Sequence, residues 1–212
     1  MMEQLDTRDT GRLAMAVGAV AGASAACLLA FYVAKGPLGT LNDVGNATTG
    51  ILSAALAWRL RRMVPGRAGD VVVGTSLAGA ALTVVGSTLV ISGTTGFFFA
   101  GLVSGLGFAG IGAWLVALNR SASSASWPRR LRSLGVLTGT LMAFGVALVP
   151  GILLRLDDME TAPAWVWIGF LGWFGTFLVY PAWAIWMGTI ESRRTGRTAP
   201  LPASAVAEQL GR

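Results

Sequence analysis

The 212-residue chain has no histidine and a single cysteine, and only one of its sixteen basic residues is a lysine. Without histidine there is no His-ligated haem, no Cys/His zinc site and no histidine-based catalytic relay. One cysteine rules out an intrachain disulfide. Charge is scarce too: 12% of residues are Asp, Glu, Lys or Arg, about half the share a soluble domain carries. No Walker motif is present, so an ATP-driven role would need a partner. Nothing in the pattern calls for a cofactor or a metal.

What the chain does have is apolar sequence, 54% of residues, with a mean hydropathy of +0.65. It comes in blocks too long for soluble core elements. Six windows reach the ~20 residues that a helix needs to cross a bilayer: Leu13 to Ala34, Leu41 to Trp58, Val71 to Ser92, Phe97 to Leu118, Leu134 to Leu154 and Ala164 to Met187. They lack period-2 alternation, which favours helices over barrel strands. The expected fold is an all-α, polytopic transmembrane bundle. Residues 1–12 form a cytoplasmic N-terminal segment, 13–188 the membrane domain and 189–212 a flexible cytoplasmic tail.

Charge between the windows gives an orientation. Fourteen basic residues fall on the side holding both termini and the 59–70 and 120–132 loops, against Lys35 and Arg155 on the other. Short loops rich in arginine stay cytoplasmic, so six spans arranged as three hairpins, with both ends inside an inner (plasma) membrane, are expected. Trp58, Trp114, Trp183 and Trp186 fall at the inner ends, and Phe97, Phe98, Trp165 and Trp167 at the outer ends, as interfacial belts would. The pI near 11 follows from these flanking arginines. No aromatic–basic module interleaves them, so nucleic acid is not an expected partner. The abundance of Arg, Gly and Ala fits a GC-rich bacterial genome. Cys27 reads as a small buried thiol in a retained first span.

The second span is the weak one. Its uninterrupted apolar stretch, Ala47 to Trp58, has twelve residues, and extending it outward brings in Asn42, Asp43 and Asn46. Asp43, Asn46, Gly50, Ser53 and Ala57 recur at three- or four-residue steps and share one helical face. Val44, Ile51, Leu52, Ala55 and Leu56 are left for lipid. Burying a carboxylate at mid-bilayer costs about 2.5–3.5 kcal/mol on insertion scales. Asp43 therefore reads either as the floor of a polar cavity open to the outside or as a helix-start residue, with Thr40 or Asn42 as the cap. Its expected polar neighbours are Asn46, Lys35 and Arg155. Lys35, beside Gly36-Pro37, sits where a lysine snorkels to the interface. Arg155, Asp157, Asp158 and Glu160 form a second outer cluster, read as solvated loop charges or as an acidic vestibule for a cation.

Glycines at spacings of three and four in the third, fourth and sixth windows predict close helix contact. Pro150 and Pro181 predict kinks. Phe170, Trp173, Phe174, Phe177 and Tyr180 face lipid or line a pocket for a flat or isoprenoid ligand. The candidate ligand-binding residues are Asp43, Asn46, Lys35, Arg155 and Asp157, with no catalytic motif. Three functions remain: binding or passing a small solute from the outer face, serving as an accessory subunit to a membrane protein or to a second copy, and modifying lipids with outer carboxylates.

Overall fold

The computed structural model describes residues 2–197, all of its regular elements helical. The helices are α1 (Met2–Ala34), α2 (Leu38–Arg59), α3 (Gly66–Ile91), α4 (Phe97–Arg120), α5 (Arg129–Ala143), α6 (Val149–Leu153), α7 (Val166–Phe174) and α8 (Tyr180–Arg197). A 3₁₀ stretch, Phe144–Leu148, joins α5 to α6, and a π turn, Gly175–Val179, joins α7 to α8. The chain thus makes six rods. Five contain stretches long and apolar enough to cross a membrane: Arg8–Ala34, Gly66–Ile91, Phe97–Arg120, Arg129–Leu153 and Val166–Arg193. The protein is accordingly a helical membrane protein. The remaining rod, α2, has 22 residues, ~33 Å at the helical rise, but its Asn, Asp, Thr and Gly content keeps its hydropathy low.

Each rod packs on its neighbours in sequence, and α8 returns to lie along α1, closing a ring. The register is antiparallel throughout: Gly11 meets Gly188 and Ser192 while Gly18 meets Pro181 and Ile185 across α1–α8. Glycine is required where backbones touch. A methyl on Gly79 would run into the Gly107 carbonyl of α4, and one on Gly112 into the Gly139 carbonyl of α5. With lipid as apolar as the side chains, this close backbone approach supplies dispersion contact that burial from water cannot.

The helix type changes beside both prolines. Pro150 has no N–H to donate, and the turn before it tightens to 3₁₀. Pro181 cannot bond the Phe177 carbonyl, and the turn before it widens to π.

Packing is uneven along the ring. The main core gathers at the end where α2 and α4 finish and α8 runs: Leu56, Trp114, Leu115, Leu118, Tyr180, Trp183 and Met187 are sealed there at 0% exposure. Phe98, Leu102, Leu148 and Val166 make a smaller cluster at the opposite end. Trp114, Trp183 and Phe98 are therefore core residues, not belt anchors, because they face the ring. Trp58, Trp167 and Trp186 do lie at the surface, with the Arg61 guanidinium 4.3 Å from the centre of the Trp58 ring. Leu56, assigned to lipid, is also core: it follows Ser53 by three residues and so shares its face. Cys27 is half-buried. Helix α1 extends back to Met2, continuous with the first span, and α8 covers Thr189–Arg197 of the segment read as a tail. The rest of that tail, 198–212, lies outside the described residues.

Candidate functional site

Helix α2 begins at Leu38 behind Pro37, and no side chain caps it. Thr40 and Asn42 are thus not caps, and Asp43 stands in the second turn, beyond where the helix dipole favours an anion most. The helix-start account of Asp43 does not hold. Asn42, Asp43, Asn46, Thr49 and Ser53 are each at most 8% exposed and lie within an arc of about 120° at 3.6 residues per turn. Val44 and Ile51, on the other side, are about half exposed. A rod in a membrane protein has turned its polar side inward.

The outer part of this face meets α1. The Ser24 hydroxyl, 2% exposed, lies 2.9 Å from the Asn42 carbonyl and 3.0 Å from both the Asn42 and Asn46 side-chain oxygens. Gly45 permits the approach, since a methyl there would collide with Ser24. One hydroxyl proton cannot serve three acceptors, so the cluster has oxygen lone pairs to spare in this arrangement. Asp43 adjoins the Asn42 amide and forms no ion pair with Lys35 or Arg155. Both bases are exposed, and both end a helix in the left-handed region, at φ 54° and 53°. The expected pairing is absent among the described residues.

The face continues inward against α3, where Gly50 packs on Thr83. One turn outward, the antiparallel register brings Ser87 of α3 to the level of Asn46. Ser87 and Thr49 hydroxyls are buried without partners among the described residues, the kind of orphaned polar group that calls for an explanation. Ten residues below Asp43, ~15 Å along the helix, Ser53 donates to the Thr49 carbonyl at 2.6 Å. Its 2.8 Å contact with Tyr180 must then take its proton from the tyrosine hydroxyl. Tyr180 stacks on Trp183, with centroids 6.0 Å apart. Together with the sealed Trp114 and Met187, this closes the polar file below Ser53.

The remaining outer carboxylates serve the backbone. Asp157 accepts the Gly96 N–H at 2.6 Å and the Phe99 N–H at 3.0 Å, capping α4 from a distant loop. Asp158 accepts the Glu160 N–H and the Thr161 hydroxyl. Arg155 and Asp157 share an open hollow of about 400 Å³ with Thr94, Thr95 and Phe99. The structure therefore puts Asp43 and Asn46 on one buried face of α2, gives Asp43 no ion pair with Lys35 or Arg155 among the described residues, and gives Asp157 a structural bond. Along α7, Trp167, Phe170, Trp173 and Phe177 make a ladder of ring contacts at 4.8, 4.2 and 6.4 Å. The cavity between Trp173, Phe177 and α4 is about 20 Å³, room for a water but not for an isoprenoid.

Sequence reasoning missed the contact between the α4–α5 loop and α8. Glu191, 7% exposed, accepts the Trp127 indole N–H at 2.8 Å. Nearby, three arginines line a groove on the surface of α4 and α5. Among the described residues no three His, Cys, Asp or Glu side chains converge as a metal site would need. No family model, curated protein or solved structure matches the chain.

Proposed function

We propose that the protein binds a small, singly charged cationic solute that enters from the outer face, with Asp43 as its anchor. The observation that carries this reading is the inward polar face of α2, where a buried carboxylate without a counter-ion adjoins an oxygen-rich cluster. An ionised group held in a membrane domain pairs with another charge or marks a pathway. One carboxylate calls for one positive charge, and the Ser24, Asn42 and Asn46 oxygens suit a hard monovalent ion or a primary ammonium. The aromatic layer under Ser53 makes this a closed-bottomed site, so binding is favoured over an open channel. The proposed membrane arrangement has α2 as a sixth span and both termini cytoplasmic. It is supported by the traverse of α2 between α1 and α3 and by the arginines at the terminal end.

Two measurements test this. In a Cys27→Ala background, Ser123→Cys should react with an impermeant thiol reagent only after cells are opened, and Thr161→Cys should react in intact cells; both positions are exposed. The reverse pattern would refute the orientation. Purified protein should melt higher in sodium, potassium or methylammonium chloride than in equal N-methylglucamine chloride, and Asp43→Asn should lose the difference. Equal shifts in both proteins would remove Asp43 from the site.

A further inference from the structure

The α4–α5 junction carries a second site, with chemistry opposite to that of Asp43. Arg120 ends α4, Arg129 opens α5 behind Pro128, and Arg132 lies one turn on. All three line a groove of about 800 Å³ that continues along α5 past Val136 and Leu137 to Thr140. None has an acidic partner among the described residues. Arg132 is held in place by donating from Nε to the Asn119 carbonyl at 3.3 Å. Thr140 lies eight residues beyond Arg132, ~12 Å farther along the rod. One end of the groove is thus cationic. The other, with Leu137 53% exposed, is apolar.

We infer that this groove is a binding site for an anionic phospholipid, with its phosphate on Arg120, Arg129 and Arg132 and an acyl chain along Val136 and Leu137. Guanidinium groups suit phosphate because their fork matches its oxygens, and basic pockets between membrane helices take up acidic headgroups. Three positive charges with no internal acid complement such a headgroup. A soluble phosphate would satisfy the arginines but leave the apolar floor uncovered, whereas a lipid meets both. The site is independent of the Asp43 reading, and its experiment involves neither Asp43 nor a cation.

The test uses the full-length protein in detergent, with bound lipid counted by native mass spectrometry and melting followed in parallel. Dioleoyl-phosphatidylglycerol should bind at one per chain and raise the melting point, while dioleoyl-phosphatidylcholine and glycerol phosphate do neither. Arg120→Gln with Arg129→Gln, both exposed in the parent, should weaken binding by about twenty-fivefold, at roughly fivefold per arginine near a headgroup. Arg62→Gln with Arg67→Gln, equally basic positions outside the groove, should leave it within twofold. Thr140→Trp, which fills the apolar end, should weaken the lipid while keeping every arginine. The inference fails if phosphatidylcholine or glycerol phosphate binds as well as phosphatidylglycerol. It also fails if the two arginine pairs lose binding equally.

Discussion

Trp127 and Glu191, 64 residues apart in sequence, meet in a 2.8 Å hydrogen bond that ties the α4–α5 loop to α8. Both are buried. A neutral N–H donating to a carboxylate is worth about 1.5–3 kcal/mol net. Glu191→Ala is expected to destabilise the protein by that amount, and Glu191→Gln, which keeps an acceptor, by less than half as much. Thermal melting in one detergent checks both; equal losses for the two variants would show that the bond contributes little.

The Ser53–Tyr180 bond is asymmetric, because Ser53 spends its proton on Thr49. Tyr180→Phe removes only a donor and should cost about 0.5–1.5 kcal/mol. Ser53→Ala leaves a tyrosine hydroxyl buried without its acceptor, and should cost about 1–3 kcal/mol. The same melting series reads the order, and Tyr180→Phe as the worse variant would overturn the assignment of the donor.

Asp157 bonds two N–H groups at the start of α4. Asp157→Ala should therefore cost about 0.5–2 kcal/mol, and Asp157→Asn clearly less. Neither should alter cation-dependent melting, since Asp43 and not Asp157 is the proposed anchor. A loss of the cation effect in Asp157→Asn would move the site to the outer loop.

Gly79 and Gly74 share α3 but not its surroundings. A methyl on Gly79 would meet the Gly107 carbonyl, while one on Gly74 meets nothing within 4 Å. Gly79→Ala should reduce folded yield or cost about 1–3 kcal/mol as overpacking. Gly74→Ala should stay within about 0.5 kcal/mol of the parent. Size-exclusion yield and melting together check the pair.

Much of this was legible in residue order. Apolar run length gives six spans, of which five reappear as helices long and apolar enough to cross a membrane, and the inward face of α2 follows from its three- and four-residue spacing. The glycine seams were readable for the same local reason. What the order of residues hid was direction around each rod in crowded aromatic regions. Trp114 and Trp183 sit at depths where a belt belongs, and only the ring's closure shows that they point inward. Asp157 looked like a loop charge because its partners, Gly96 and Phe99, lie about sixty positions away. Glu191 was hidden likewise, as an acid in a basic helix end whose partner is a tryptophan in another loop. Lys35 and Arg155 were expected beside Asp43 from depth alone, but depth does not fix azimuth, and neither pairs with it among the described residues.

The central claim is that Asp43 holds a monovalent cation inside the outer half of the bundle. Equilibrium binding of radiolabelled sodium or methylammonium to the purified protein tests it most directly, with Asp43→Asn and Asp157→Asn alongside. The account predicts saturable binding of one cation per chain, weakened at least tenfold in Asp43→Asn and unchanged in Asp157→Asn. The same binding in all three proteins, or none in the parent, would contradict it.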